Sequence, residues 1–296
     1  MAAPRALRVR CPAKINLGLW ILGRRPDGYH EIDTVMQSVA LEDELLLEEA
    51  REGFTLDARG VPIPGDGSNI VERAWTLLAE SRTPVRGVRV RLTKRIPVAA
   101  GLGGGSSDAA GFLLGANQLL GLDLPEDEIQ DIAARLGSDV PFFLKGGTAR
   151  ATGRGEQVRH LCPPPPAWVV LATPPLAIST TWAYERATIP LTRGDRDATI
   201  LAAAIASHEW RTIALHLHND FEDVVLPDFE MVARLRHALG ASGVLGSLLS
   251  GSGSTVFGLA WTRDEAQSAA NAAAALGARV HVVRTTERGV VLARLS

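Results

Sequence analysis

Pro97-Val98-Ala99-Ala100-Gly101-Leu102-Gly103-Gly104-Gly105-Ser106-Ser107-Asp108-Ala109-Ala110 is the stretch on which the reading of this chain turns. Four glycines within five residues remove the Cβ atoms that would keep a backbone away from a ligand. Two serines and an alanine-rich helix follow, so backbone N–H groups at a helix N-terminus, with the positive end of the dipole, form a cradle for phosphate. A Walker loop would end in Gly-Lys-Ser/Thr, which is missing here. A dinucleotide fingerprint would need a strand directly before the first glycine, and Ile96-Pro97 interrupts one. A flexible hinge or a close helix–sheet contact stays open as the alternative. Asp108 could cap the helix, or could repel phosphate.

Working outward, Val88, Val90 and Leu92 alternate with arginines and predict a strand feeding the loop. Downstream, the pattern predicts one helix from about Ser107 to Leu120, stopped by Gly121. A second helix is expected from a cap formed by Asp123 and Glu126, with Ile129, Ile132, Ala133 and Leu136 inward and Gly137 as its end. Earlier in the chain, Leu7, Val9 and Cys11, then Ile15 to Ile21, alternate like strands, as do Val35 to Leu41 and Leu45 to Glu49. Asn69 and Glu72 have capping-box spacing at the head of a helix carrying Ile70, Ala74, Leu77 and Leu78 on one face. The four prolines Pro163 to Pro166 mark a boundary. Beyond them come a strand at Trp168 to Ala172, helical patterns over most of Thr180 to Leu239, and strands at Val244 to Leu249 and Thr255 to Ala260. A helix over Asp264 to Leu276 and strands near Val280 and Val290 follow. Mixed strands and helices on both sides of the prolines predict an α+β chain of two domains, residues 1–162 and 163–296, with a cleft between them.

Composition narrows the partners. A net charge of -2 gives no general attraction to nucleic acid or an anionic membrane, so a polyanionic ligand must be held by a local site. Cys11 and Cys162 show no metal-ligand spacing and no disulfide framework, which fits a reducing compartment. With no apolar run long enough for a signal peptide or a bilayer span, the expectation is a cytoplasmic protein. Lysine occurs only at Lys14, Lys94 and Lys145, while 28 of the 31 basic residues are arginine. A compact ammonium kept in so few places points to positions where a flat guanidinium would not serve, although codon bias alone would produce the same scarcity.

Three further segments carry chemistry. In Pro12-Ala13-Lys14-Ile15-Asn16-Leu17, Lys14 and Asn16 are two apart and share one face of a strand. Pro26-Asp27-Gly28 reads as a turn that presents Tyr29 and His30 together, an aromatic ring and a hydrogen-bonding ring suited to a planar base. In Leu136-Gly137-Ser138-Asp139-Val140-Pro141-Phe142-Phe143-Leu144, Asp139 is either a turn-capping carboxylate or a base at the rim of a dry cleft. Ser250-Gly251-Ser252-Gly253-Ser254 between two strands could be a plain hairpin turn. His216 and His218, with no third ligand in view, read as structural.

The glycine-rich segment resembles the ATP loop of the galactokinase, homoserine kinase, mevalonate kinase and phosphomevalonate kinase (GHMP kinase) superfamily. Its extended Gly-Leu-Gly-Gly-Gly-Ser-Ser form is similar to that of the diphosphocytidyl-methylerythritol kinase branch, many of whose members have asparagine where this chain has Asp108. Lys14 to Leu17, Gly23 to His30, Gly137 to Phe143, Ile178 to Tyr184 and Leu249 to Phe257 match that branch in order and spacing. The resemblance implies a domain like the second domain of ribosomal protein S5, followed by a ferredoxin-like domain. It implies ATP with Mg²⁺, held by Pro97, Val98, Ala99, Ala100, Gly101, Leu102, Gly103, Gly104, Gly105, Ser106 and Ser107, with Asn69 and Lys94 toward the adenosine. It implies Asp139 as base and Lys14 as its partner, and a small-molecule acceptor, a cytidine diphosphate-linked methylerythritol, touched by Asn16, Tyr29, His30, Thr180 and Tyr184. The implied reaction is phosphorylation of that acceptor's 2-hydroxyl in the non-mevalonate route to isoprenoids. Neither the metal ligands nor the oligomeric state follows from the sequence.

Overall fold

The first strand, β1 (Ala6–Arg24), runs through both layers of the molecule, and the site is built around it. The structure is a computed structural model that describes residues 6–61, 69–82, 86–187 and 196–295, and the side chains of residues 196 and 197 are left aside. After β1 come β2 (His30–Ala50), β3 (Phe54–Gly60), α1 (Ile70–Ser81), β4 (Gly87–Lys94), α2 (Gly104–Leu120), α3 (Glu126–Leu136) and α4 (Val140–Lys145). Then follow β5 (Thr148–Thr152), β6 (Gln157–Leu161), β7 (Trp168–Thr173), α5 (Thr180–Arg186), α6 (Arg196–Ala206), α7 (Trp210–Ala214) and β8 (His218–Asn219). The last elements are α8 (Glu222–Asp228), α9 (Glu230–Ala241), β9 (Gly246–Leu249), β10 (Val256–Ala260), α10 (Arg263–Ala275), β11 (Arg279–Arg284) and β12 (Val291–Arg294).

Among the described residues there are two sheets. One has the path β12-β1-β2-β4-β3, with β5 on β2, β6 on β5 and β8 on β1; the other has the order β11-β7-β10-β9. The proline run joins β6 of the first sheet to β7 of the second. β8 and β12 return to the first sheet from beyond that run, β8 parallel and β12 antiparallel to β1. Part of the helical stretch expected over Thr180 to Leu239, residues 188–195, lies outside the described residues.

Three apolar clusters hold these layers. Leu7, Val9 and Cys11 of β1 pack with α1 to α4 on one side, around Phe112, Phe142 and Phe143. Ala13, Ile15 and Leu17 join β7, α6 and β10 through Leu171, Leu201 and Phe257. A third cluster packs α9 and α10 on the second sheet. β1 therefore leaves one core and enters another at a bulge between Pro12 and Ala13, and every residue from Cys11 to Ile21 is buried. At ~25 cal/mol per Å² of apolar area, burial on both faces anchors this strand more firmly than an edge strand could be.

Several boundaries differ from expectation. β1 runs continuously through the alternating pattern expected there, β2 is one long strand where alternation suggested two, and β3 was not anticipated. α2 begins at Gly104, three residues before the expected start. The start of α3 is Pro125, not an Asp123 cap: Asp123 sits at φ 52°, and no side chain caps the helix. Asn69 does cap α1, accepting from Val71 N.

Candidate functional site

The glycine loop leaves β4 under the control of a carboxylate. Asp43 Oδ1, fully buried on β2, accepts the N–H groups of Arg95 and of Ile96 (2.9 Å to the latter). From there the chain turns through Ala99 (φ 51°), Gly101 (φ 77°) and Gly103 (φ 68°) before α2 starts. Gly101 and Gly103 are needed for reach as well as for φ. A Cβ on Gly101 would lie 1.9 Å from the Ser250 carbonyl oxygen, and one on Gly103 would lie 2.8 Å from the Phe143 ring. Pro97 to Ser106 line a cavity of about 1080 Å³, into which the first turn of the 17-residue α2 points. Ser107 does not reach that wall. Because the helix begins at Gly104, Ser107 faces inward, fully buried, and its hydroxyl has no hydrogen-bond partner.

Beneath the loop lies an ion triad. Lys94 Nζ donates to Asp108 Oδ2 at 2.7 Å and also to Asp43 Oδ2. All three side chains are buried. Burial pushes the Asp108 carboxyl up to about 8, Lys94 pulls it back, and neighbouring Asp43 adds to the rise. Burial alone would lower Lys94, but Asp108 and Asp43 hold it above the ordinary lysine value. Asp108 thus caps no helix; it borders the cavity from beneath the loop with Oδ2 bonded to Lys94. Lys94 lines the cavity, but its ammonium is engaged by two carboxylates.

Beside the loop, to which Lys14 N donates at the Leu102 carbonyl (2.9 Å), β1 presents Lys14 and Asn16 to the cavity, as their spacing predicts. Lys14 Nζ donates to Asn16 Oδ1 (2.6 Å), Asn16 Nδ2 to Thr34 Oγ1 (2.8 Å), and Thr34 Oγ1 to the Gly18 carbonyl (2.6 Å). The same ammonium lies 3.4 Å from Asp139 Oδ2. Asp139 precedes α4 but its side chain makes no capping hydrogen bond. A turn-capping role is therefore set aside, and the carboxylate, about one-third exposed, faces the cavity.

The serine–glycine loop between β9 and β10 is more than a hairpin turn. Ser250 Oγ donates to the Gly101 carbonyl (2.9 Å), and Thr255 N donates to the Ala100 carbonyl (3.2 Å). Ser252 pairs with Thr180 across 3.1 Å between hydroxyls. Gly251 backs Lys14, its Cβ position being 3.4 Å from Nζ.

The far end of the cavity is aromatic. His30 stacks on Tyr184 with centroids 4.8 Å apart, and Tyr184 meets Phe221 edge-on at 4.9 Å. Tyr29, 54% exposed, is covered by the Arg154 guanidinium instead of lying against His30. Burial, with a smaller contribution from Arg24, lowers the His30 pKa, so the ring is neutral near pH 7. Burial and then Asp139 raise the Tyr184 phenol. Apart from Ser107, every residue expected at the site lines this one cavity. Asp43, Asn219 and Phe221 were not anticipated. Their roles run through buried contacts with backbone or rings distant in sequence, and no local pattern marks them.

A glycine-rich loop beside a lysine–aspartate pair, with two sheets so ordered, is the arrangement of the GHMP kinase class, and comparison with known proteins agrees. Residues 69–147 match the GHMP kinases N terminal domain and residues 201–279 the GHMP kinases C terminal model. A 4-diphosphocytidyl-2-C-methyl-D-erythritol kinase of Brevibacillus brevis is 42% identical over 97% of this chain and 99% of its own length. One from Symbiobacterium thermophilum is 45% identical over 87% and 92%. A crystal structure of 4-(cytidine 5'-diphospho)-2C-methyl-D-erythritol kinase superposes with a TM-score of 0.78 at 35% identity, covering 94% of this chain and 98% of that one. A homoserine kinase from Cytophaga hutchinsonii, at TM-score 0.74 and 20% identity, shares the fold. The chain belongs to the 4-diphosphocytidyl-2-C-methyl-D-erythritol kinase family. Among the described residues no helix is long and apolar enough to cross a membrane.

Proposed function

We propose that this chain transfers the γ-phosphoryl group of ATP to the 2-hydroxyl of 4-diphosphocytidyl-2-C-methyl-D-erythritol in the non-mevalonate route to isoprenoids, in the cytoplasm. The observation that carries the reading is the Lys14–Asp139 pair at 3.4 Å, lining the same cavity as the glycine loop and beside it, where Lys14 N donates to the Leu102 carbonyl. Residues 1–162 would supply the glycine loop and both members of that pair, and residues 163–296 the serine–glycine loop.

In this mechanism Asp139 takes the proton of the acceptor hydroxyl as its oxygen attacks the γ-phosphorus, and the bond to the ADP oxygen breaks in line. Lys14 steadies the carboxylate and the charge that develops on the transferring group, its own position fixed by Asn16 and Thr34. The phosphates would lie along Pro97 to Ser106. Asn69 would offer its amide NH₂ to the adenosine, since its Oδ1 caps α1, and Lys94 would offer its aliphatic stem. Mg²⁺ would take its ligands mostly from phosphate oxygens and water, with Asp139 and the Ser106 hydroxyl among the oxygen donors on the cavity wall. The acceptor's cytosine would lie among Tyr29, His30 and Tyr184, with Asn16 and Thr180 toward its polyol and diphosphate.

ADP release across a panel of acceptors tests this. Cytosine presents an amine and an unprotonated ring nitrogen where uracil presents a carbonyl and an N–H. The uridine analogue should therefore be at least roughly tenfold poorer in kcat/KM. His30→Ala should shrink that preference and raise KM for the acceptor alone. Equal efficiency with both bases would remove the cytidine assignment, and turnover of homoserine or mevalonate alone would move the chain to another branch.

A further inference from the structure

Asn219 is not on the cavity wall, yet two walls of the cavity hang from it. Its side chain is buried, and both of its ends are engaged. Nδ2 donates to the carbonyls of Leu249 and Gly251, 2.8 Å each, and Oδ1 accepts from Phe221 N at 3.0 Å. The first pair fixes the entry to the serine–glycine loop, whose Gly251 backs Lys14 and Asn16. The second bond fixes Phe221, the ring on which Tyr184 rests.

Asn219 is itself tied to the strand that bears the reacting pair's lysine. β8 pairs with β1 at Gly18 and Leu19, and Asp220 continues the tie, its N–H donating to the Leu19 carbonyl and its Oδ2 accepting from Ile21 N at 2.7 Å. One planar amide thus sets the phosphate-side loop and the base-side wall relative to β1. Asparagine suits this because it carries two donors and an acceptor on one rigid group. A carboxylate of the same shape would turn lone pairs toward two carbonyl oxygens.

We propose that Asn219 is a positioning residue for phosphoryl transfer, acting through Gly251 on Lys14 and through Phe221 on Tyr184. This rests on the kinase reading above. The ordering matters because a misplacement of about 1 Å at a reacting pair costs on the order of 10²-fold in rate.

The test begins with the unaltered protein, ATP and 4-diphosphocytidyl-2-C-methyl-D-erythritol. No ADP release from any acceptor would sink the kinase reading, and this proposal with it. With activity established, Asn219→Asp is expected to stay folded by circular dichroism and to lose roughly 10²-fold in kcat. Combining it with Ser250→Ala, which loosens the same loop at Gly101, should give kcat losses short of additive. A purely structural weakening would instead lower activity in proportion to the unfolded fraction and add to the second variant's effect. A kcat within about threefold of the parent, or losses that follow the unfolded fraction, overturns the proposal. If Asn219→Asp does not fold, Asn219→Ser replaces it. Failure of both to fold assigns the residue to folding and overturns the proposal too.

Discussion

Two lysine–carboxylate clusters flank the glycine loop, and they differ in nearly everything except composition. Lys94 lies between Asp43 and Asp108 with all three groups withdrawn from water and in direct hydrogen-bond contact. Lys14 is as buried, but its carboxylate partner is one-third exposed, 3.4 Å away, and opens onto the cavity. A carboxyl withdrawn from water offers a substrate hydroxyl almost no access, even where, as at Asp108, one oxygen has no hydrogen-bond partner. One that is loosely paired at a cavity edge keeps lone pairs available and can be reached by a hydroxyl. Access, not the residue types, separates the two clusters, and on the proposed reading it marks Asp139 as the reactive carboxylate.

That contrast can be broken at either end. Asp139→Asn keeps shape but removes the proton acceptor, so turnover should drop by roughly 10²–10⁴ with the melting temperature nearly unchanged. A variant retaining more than a tenth of the parent turnover, with chemistry rate-limiting, would deny Asp139 the role of base. Lys94→Met should behave in the opposite way. It takes the shared cation from the buried Asp43 and Asp108 and should cost about 3–5 kcal/mol of stability by denaturant titration.

Lys14→Arg tests the scarcity of lysine. A wide guanidinium cannot take the place of an ammonium between Asn16 and Asp139, so kcat should fall at least roughly tenfold although charge is kept. Near-normal kinetics would show that the site needs only a cation there.

A further test sharpens the comparison through pH. Asp108 keeps its proton in the folded chain up to about 8 because it is buried, whereas an unfolded chain releases it near ~4. Between those values the folded form binds the extra proton, so this carboxyl makes stability fall as pH rises, and the trend ends above the folded value. Asp108→Asn removes the group, and its melting temperature should gain on the parent's by several degrees from pH 4 to pH 8. A constant difference across that range would place the titration elsewhere.

The glycine loop, Lys14, Asn16 and Asp139 were legible because each belongs to a local pattern: a glycine run, a two-residue spacing, a carboxylate after a helix stop. Their convergence needed the fold. β2 reads as two strands because Glu42 and Asp43 interrupt its apolar alternation, yet Asp43 is buried to hold Lys94 and the loop's first amides. A buried charge looks, in sequence, like an exposed turn. The early start of α2 was hidden in the same way, since glycines are poor helix formers and the close approach that needs one, a Cβ on Gly104 lying 2.8 Å from Ile96, exists only in the fold. The direct stacking of His30 on Tyr184, with Tyr29 drawn to Arg154, was beyond any local pattern.

The pairing of β12 with β1 bears on how the molecule is made. Residues Leu7 to Arg10 find their partners at Val291 to Arg294, separated by nearly the whole chain. At ~5–20 residues per second of synthesis, β1 leaves the ribosome tens of seconds before the strand that covers its outer edge. Through that interval the nascent sheet has an open edge lined by Leu7 and Val9, a site where two growing chains on one polysome could pair with each other. The exposed arginines at positions 8 and 10, beside Glu44 and Glu42 of β2 (3.8 and 3.7 Å), keep one face of that edge charged and solvated and so blunt such a pairing while the proper strand is awaited.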